Sequence, residues 1–225
     1  PKPSSAASDV YKRQVLDHAL HGAAGGPACE RFVEELGLKS LFPAYMQPMA
    51  ARGMHWQDME HVLGIFASLL HNLASESTLR VRFLVKFVEA DYAKTDRLLE
   101  LRDGAVARVH VAERGAAAER STLLDEGTSE ADADALLYLR RLESGLYALQ
   151  LIDYVLAWLV MEDDGVQAHA ARMLQRRGLT FADVVRVLRE YGDNVGEATA
   201  ASGDRLAEIV AALLDYVEAL PADRS

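Results

Sequence analysis

Cysteine is nearly absent: Cys29 is the single one in 225 residues. No disulfide framework can form within the chain, which fits a reducing compartment. Strand signals are equally scarce. No Asn-Gly hairpin turn joins alternating runs, and Asp103-Gly104 and Asp164-Gly165 both lie in helical context. Basic charge is in deficit, with 24 Lys and Arg against 34 Asp and Glu, a formal −10. Nucleic-acid binders usually carry a basic footprint, so direct nucleic-acid contact is not expected. An acidic surface instead steers basic partners toward it. The N-terminus has no apolar stretch of the kind a signal peptide needs. The chain begins with Pro1 rather than Met, so its natural start is expected further upstream.

Catalytic signatures are missing as well. There is no Gly-x-Ser-x-Gly, no phosphate-binding glycine loop and no dinucleotide glycine pattern. Seven histidines stand at 18, 21, 55, 61, 71, 110 and 169, but none forms a His-Glu-x-x-His pair. His18 and His21, three apart, lack a nearby third ligand. Cys29 has no obvious base beside it and reads as a buried structural thiol. The expectation is a non-enzyme with no cofactor and no metal.

Apolar residues are abundant, at 50% of the chain. The greasiest stretch is SGLYALQLIDYVLAWLVME, 144–162. A membrane span needs about 20 mostly apolar residues with few or no charges. Here Asp153 interrupts the run, leaving 9 uncharged residues before it back to Glu143 and 8 after it up to Glu162. A carboxylate at that depth costs roughly 2.5–3.5 kcal/mol. The reading is a buried core helix near 130–162, with Leu146, Leu149, Ile152 and Leu156 in the core. Arg140, Glu143, Gln150 and Asp153 form its wet seam.

Helical periodicity recurs elsewhere. HVLGIFASLLHNL places Val62, Ile65, Phe66, Leu69, Leu70 and Leu73 on one face. Ser129 with Asp132, and Thr180 with Asp183, resemble capping boxes. Gly178 and Gly192 read as helix stops. Breaks fall at 21–27, 49–54 and 125–134, the last with five carboxylates in ten residues. Eight or nine helices joined by short loops predict an all-α stack of antiparallel neighbours, a bundle or a solenoid. Residues 1–14, PKPSSAASDVYKRQ, are poor in apolar side chains and stand apart as a non-native leader or disordered tail. The helical domain is assigned to 15–220 and a short tail to 221–225.

Two local patterns point to partner binding. SLLHNLAS, 68–75, resembles the last helix of an armadillo repeat, in which an asparagine holds a peptide backbone; that residue here is Asn72. Trp56 and Trp158 are each followed at i+4 by a glutamate, Glu60 and Glu162. Importin-type grooves pair tryptophan with asparagine at that spacing, so this chain departs from that ladder. A tryptophan–carboxylate shelf still suits lysine or arginine by stacking plus charge. The plainer alternative is two core tryptophans.

Taken in order, GLKSLFP, HVLGIFASLLHNL, LVKFVEADYAKTDRLLEL, YLRRLESGLYALQLIDYVLAWLV and VVRVLREYGDNVG resemble the C-terminal half of the catenin-beta-like family. The likeness runs from about Leu36 to Gly196. It implies an armadillo-like α-solenoid, a nuclear location and association with a Prp19-type spliceosomal complex. It implies a scaffold that engages basic, localisation-like segments of splicing proteins, with no membrane contact and with self-association left open. The family's N-terminal basic tract and first repeats have no counterpart in these residues. A generic helical adaptor in assembly or trafficking is the alternative.

Overall fold

The computed structural model describes residues 5–49, 55–195 and 203–220. Ten α-helices and no strand are found among the described residues. They are α1 (Ser5–Leu20), α2 (Gly26–Glu34), α3 (Leu38–Tyr45), α4 (Trp56–Asn72) and α5 (Thr78–Asp125). The series continues through α6 (Glu130–Arg141), α7 (Tyr147–Glu162), α8 (Asp164–Arg176), α9 (Phe181–Val195) and α10 (Gly203–Glu218). Residues 5–14, set apart in the sequence, form the first turns of α1. The tail at 221–225 lies outside the described residues, as does the 49–54 break apart from Met49.

Helix α7 is the axis of the molecule, packing against α4, α5, α8, α9 and α10. Its apolar side chains point outward on every side, so it must be surrounded. Leu146, Leu149, Ile152 and Leu156 are all buried, as their periodicity demands. With α6 and a π-turn at Leu142–Leu146 it makes one continuous helix of 33 residues, Glu130–Glu162. At ~1.5 Å per residue that is about 50 Å. Among the described residues it is the one helix long and apolar enough to cross a membrane, yet 78% of its apolar window is buried inside the chain. The π-turn turns on Gly145, at φ 124°. A Cβ there would meet Arg108 Cβ at 3.2 Å and the Ala105 carbonyl at 3.3 Å, so glycine also admits α5.

The expected wet seam is half wet. Arg140 and Glu143 are exposed, but Gln150 and Asp153 are buried at 1% and 0%. Gln150 Nε2 donates to the Tyr138 hydroxyl at 3.4 Å. Asp153 is met by Arg102 of α5, whose Nε and Nη2 donate to its two oxygens at 2.7 and 3.0 Å. Arg102 also donates to the Asp183 carbonyl at 3.2 Å, tying in the start of α9. Burial pushes the Asp153 carboxyl up to about 6, with the Arg102 charge opposing it. At Asp153 desolvation outweighs attraction, whereas Arg102, held by that carboxylate, is raised above its ordinary value.

Helix α5 is two limbs joined by a left-handed turn. Ala90, Asp91 and Tyr92 have φ of 56°, 54° and 63°. None is glycine, so each costs roughly 1–2 kcal/mol. The surroundings hold the turn in place. Thr95 Oγ1 donates to the Phe87 carbonyl at 3.0 Å, and Tyr45 Oη donates to the Lys94 carbonyl at 2.8 Å. Tyr92 stacks on His169 of α8 at 4.5 Å. Before the turn, Phe83 and Phe87 join Phe42, Tyr45 and Phe66 in a five-ring cluster that locks α3, α4 and α5 together.

The expected caps form. Ser129 Oγ accepts from the Asp132 amide at 3.2 Å, and the Thr180 amide donates to Asp183 Oδ2 at 3.0 Å. Gly178 closes α8 at φ 70°. Gly192 is a correction: it lies inside α9 rather than ending a helix. A Cβ there would come 3.3 Å from Val210 Cγ1, so its role is to bring α9 close to α10.

Two stability outcomes follow from the burial of α7. Leu149→Ala is expected to cost roughly 2–5 kcal/mol in chemical denaturation. Asp153→Ala strands a buried guanidinium and is expected to cost roughly 3–5 kcal/mol, whereas joint replacement of Arg102 and Asp153 by leucine costs much less. Equal losses for the single and joint variants would contradict the pairing.

Candidate partner-binding site

Helix α4 begins beneath a reciprocal cap, in which the His55 amide donates to Asp58 Oδ2 at 3.0 Å. That cap fixes the first turn and hence the direction of Trp56. Glu60 follows one turn on, on the same face. The indole is seated on α5 because position 104 is glycine: a Cβ there would lie 2.9 Å from Trp56 Cζ2. One turn along α5 from Gly104, Arg108 lays its guanidinium over the ring, with Cζ 5.1 Å from the centroid.

This shelf opens on a cavity of about 730 Å³, lined by Trp56, Glu60, Arg108, Glu143 and Tyr147 with Met49, His55, Gln57 and Leu142. Its volume is in the range that holds small ligands or side chains. Arg108 is held lightly. Its Nε donates to the Ser144 carbonyl at 3.2 Å and its Nη2 to the Glu143 carbonyl at 3.4 Å. Both acceptors belong to the π-turn, where departure from α-helical bonding shifts the pattern of carbonyls. Burial raises the Glu60 carboxyl above its usual range, against the pull of Arg108 and His61. The site therefore has two glutamates to one arginine, and two aromatic rings.

The second shelf, Trp158 and Glu162, also holds an arginine of the chain. Arg80 Cζ lies 4.6 Å from the Trp158 ring. Its Nε and Nη2 donate to Glu162 Oε1 at 3.0 and 2.5 Å. Its Nη1 donates to the Leu70 and Leu73 carbonyls at 2.6 and 3.0 Å, closing the C-terminus of α4. Arg80 is 1% exposed, so this shelf is sealed and structural.

Asn72 does not join Trp56 and Glu60. It lies sixteen residues further along α4, about 24 Å away. Its Nδ2 donates to the Leu20 and Gly22 carbonyls at 3.2 and 3.0 Å. The expected groove amide is thus a cap on the end of α1, because the carbonyls there need donors. Cys29 is buried beside it, donating to the Leu20 and Ser68 carbonyls, and burial pushes its thiol up to about 11. A thiol so high is unreactive at neutral pH. Among the described residues, no three His, Cys, Asp or Glu side chains converge as metal ligands.

The two arginines were not singled out from sequence. Arg80 carried a signal: it shares the i, i+3, i+7 stripe with Phe83 and Phe87, and an arginine on a core stripe must find internal partners. Arg108 carried none, since its partners come from α4 and the π-turn. Arg80→Ala is expected to cost roughly 3–5 kcal/mol, because it leaves Glu162 and two carbonyls without their donor. Arg108→Ala is expected to cost under about 1 kcal/mol, the scale of an exposed cation–π contact. Thermal denaturation of both variants checks the contrast.

A family model described as "Catenin-beta-like, Arm-motif containing nuclear" matches residues 7–189. Beta-catenin-like protein 1 of Homo sapiens is 34% identical over 190 residues, which is 82% of this chain and 33% of that protein. The Bos taurus protein of the same name is 35% identical over the same length. Beta-catenin-like protein 1 homolog of Schizosaccharomyces pombe (strain 972 / ATCC 24843) is 31% identical over 189 residues, 84% of this chain and 32% of that protein. The chain therefore spans about a third of the length of these curated relatives. Its stacked helices and its match over most of its residues place it in the catenin-beta-like, armadillo-motif family.

Proposed function

We propose that this chain is part of a non-enzymatic nuclear scaffold that works with the splicing machinery and engages basic, localisation-like segments of partner proteins. The observation that carries the binding half is the Trp56–Glu60 shelf. It already holds a guanidinium, faces a second glutamate, and opens to solvent through a cavity. The net charge of −10 draws basic segments to the molecule at long range. The nuclear half rests on the description of the matched family. Association with a Prp19-type complex rests on the family resemblance. Trp56 and Glu60 are the residues assigned to partner contact; Asn72 holds α1 against α4.

The test is a titration of the protein with a lysine- and arginine-rich peptide, a charge-reversed peptide and single-stranded RNA. The basic peptide is expected to bind, and to weaken as salt rises toward physiological strength, where charges more than about 8–10 Å apart are screened. RNA or the charge-reversed peptide binding equally well would overturn the proposal.

A further inference from the structure

The two tryptophan–glutamate shelves share one design and differ in one respect. At Trp158 the arginine is sealed in and held by a carboxylate and two carbonyls. At Trp56 the arginine is half-exposed and held by two long bonds to carbonyls. The first shows what this shelf geometry binds when it binds tightly: a guanidinium, flat on the indole, with its edge turned to carboxylate and carbonyl oxygens. The second has the same indole, a glutamate at the same spacing and two carbonyls within reach, but a loosely seated occupant and an open cavity beside it.

We infer that the Trp56 cavity is a reading site for an arginine side chain of a partner, and that Arg108 is the chain's own placeholder, displaced when the partner arrives. The inference rests on the proposal that basic segments bind here, and adds both a residue preference and a means of control. Arginine is favoured over lysine because its plane stacks on the indole while its fork reaches oxygens at the rim. Arg108 leaves at little loss, since its charge passes into water and its two carbonyl acceptors become available to the incoming guanidinium. Glu60 and Glu143 line the cavity in either state. An occupied shelf admits a partner only as tightly as the placeholder allows, so removing the placeholder should raise the apparent affinity.

The experiment compares the protein with Arg108→Ala, and with Arg108→Ala joined to Trp56→Leu, against an arginine-rich peptide and a lysine-rich peptide of equal length and charge. Fluorescence anisotropy reads binding, and thermal denaturation confirms that each variant is folded. Arg108→Ala is expected to tighten the arginine peptide about 2- to 5-fold, the range of an exposed cation–π contact expressed as affinity. The lysine peptide should gain less, and Trp56→Leu should erase the difference. Glu60→Gln, which leaves packing in place, should weaken the arginine peptide without Trp56 being touched. Three results would overturn the inference: unchanged or weaker arginine binding in Arg108→Ala, an equal gain for both peptides, or a gain that survives Trp56→Leu. If the unaltered protein binds both basic peptides and Arg108→Ala changes nothing, the placeholder fails while the basic-segment proposal stands. Absence of basic-peptide binding in every variant removes both.

Discussion

A charge buried at the centre of an apolar helix sets the frame for everything around it. Asp153 is fully enclosed in α7, and a carboxylate there is tolerable only with a partner in place. Arg102 supplies that partner in a two-pronged geometry and reaches the Asp183 carbonyl as well. One interaction thereby fixes where α5 lies along α7 and where α9 begins. Apolar packing alone permits sliding between helices, since leucine ridges repeat every turn. An ion pair permits one position.

That position decides the binding site. With α5 pinned at Arg102, Gly104 comes under Trp56 and Arg108 comes beside the π-turn. Gly145 takes a positive φ there and leaves room for the Arg108 stem. The cavity is thus assembled from three separate places: the first turn of α4, the middle of α5, and the junction of α6 with α7. A shift of α5 by one turn would displace the guanidinium about 5.4 Å along the helix axis, off its place over the indole.

How legible this was depends on the range of the interaction. Features written in neighbouring residues were readable: the buried face of α4, the caps at Ser129 and Thr180, the stop at Gly178, and the core positions of α7. Features set by residues far apart were not. Gln150 and Asp153 look like surface positions until Tyr138 and Arg102 are brought to them. Gly192 looks like a terminator until α10 is laid against it. The left-handed turn at Ala90–Tyr92 has no glycine to announce it, and only contacts from Tyr45, Thr95 and His169 hold it. Asn72 resembled a groove amide locally, yet its two donors go to carbonyls some fifty residues away. The Trp56–Glu60 spacing was visible as a shelf, but not that the chain lays its own arginine on it.

Two shelves of like sequence differ in accessibility, one sealed and one open. The chain has two tryptophans, so a nitrogen-15 spectrum carries two indole N–H signals, assignable with Trp56→Phe. Titration with an arginine-rich peptide should move the Trp56 signal progressively and leave the Trp158 signal in place. A Trp56 signal that stays fixed while the peptide binds, or a Trp158 signal that moves as far, would contradict the account.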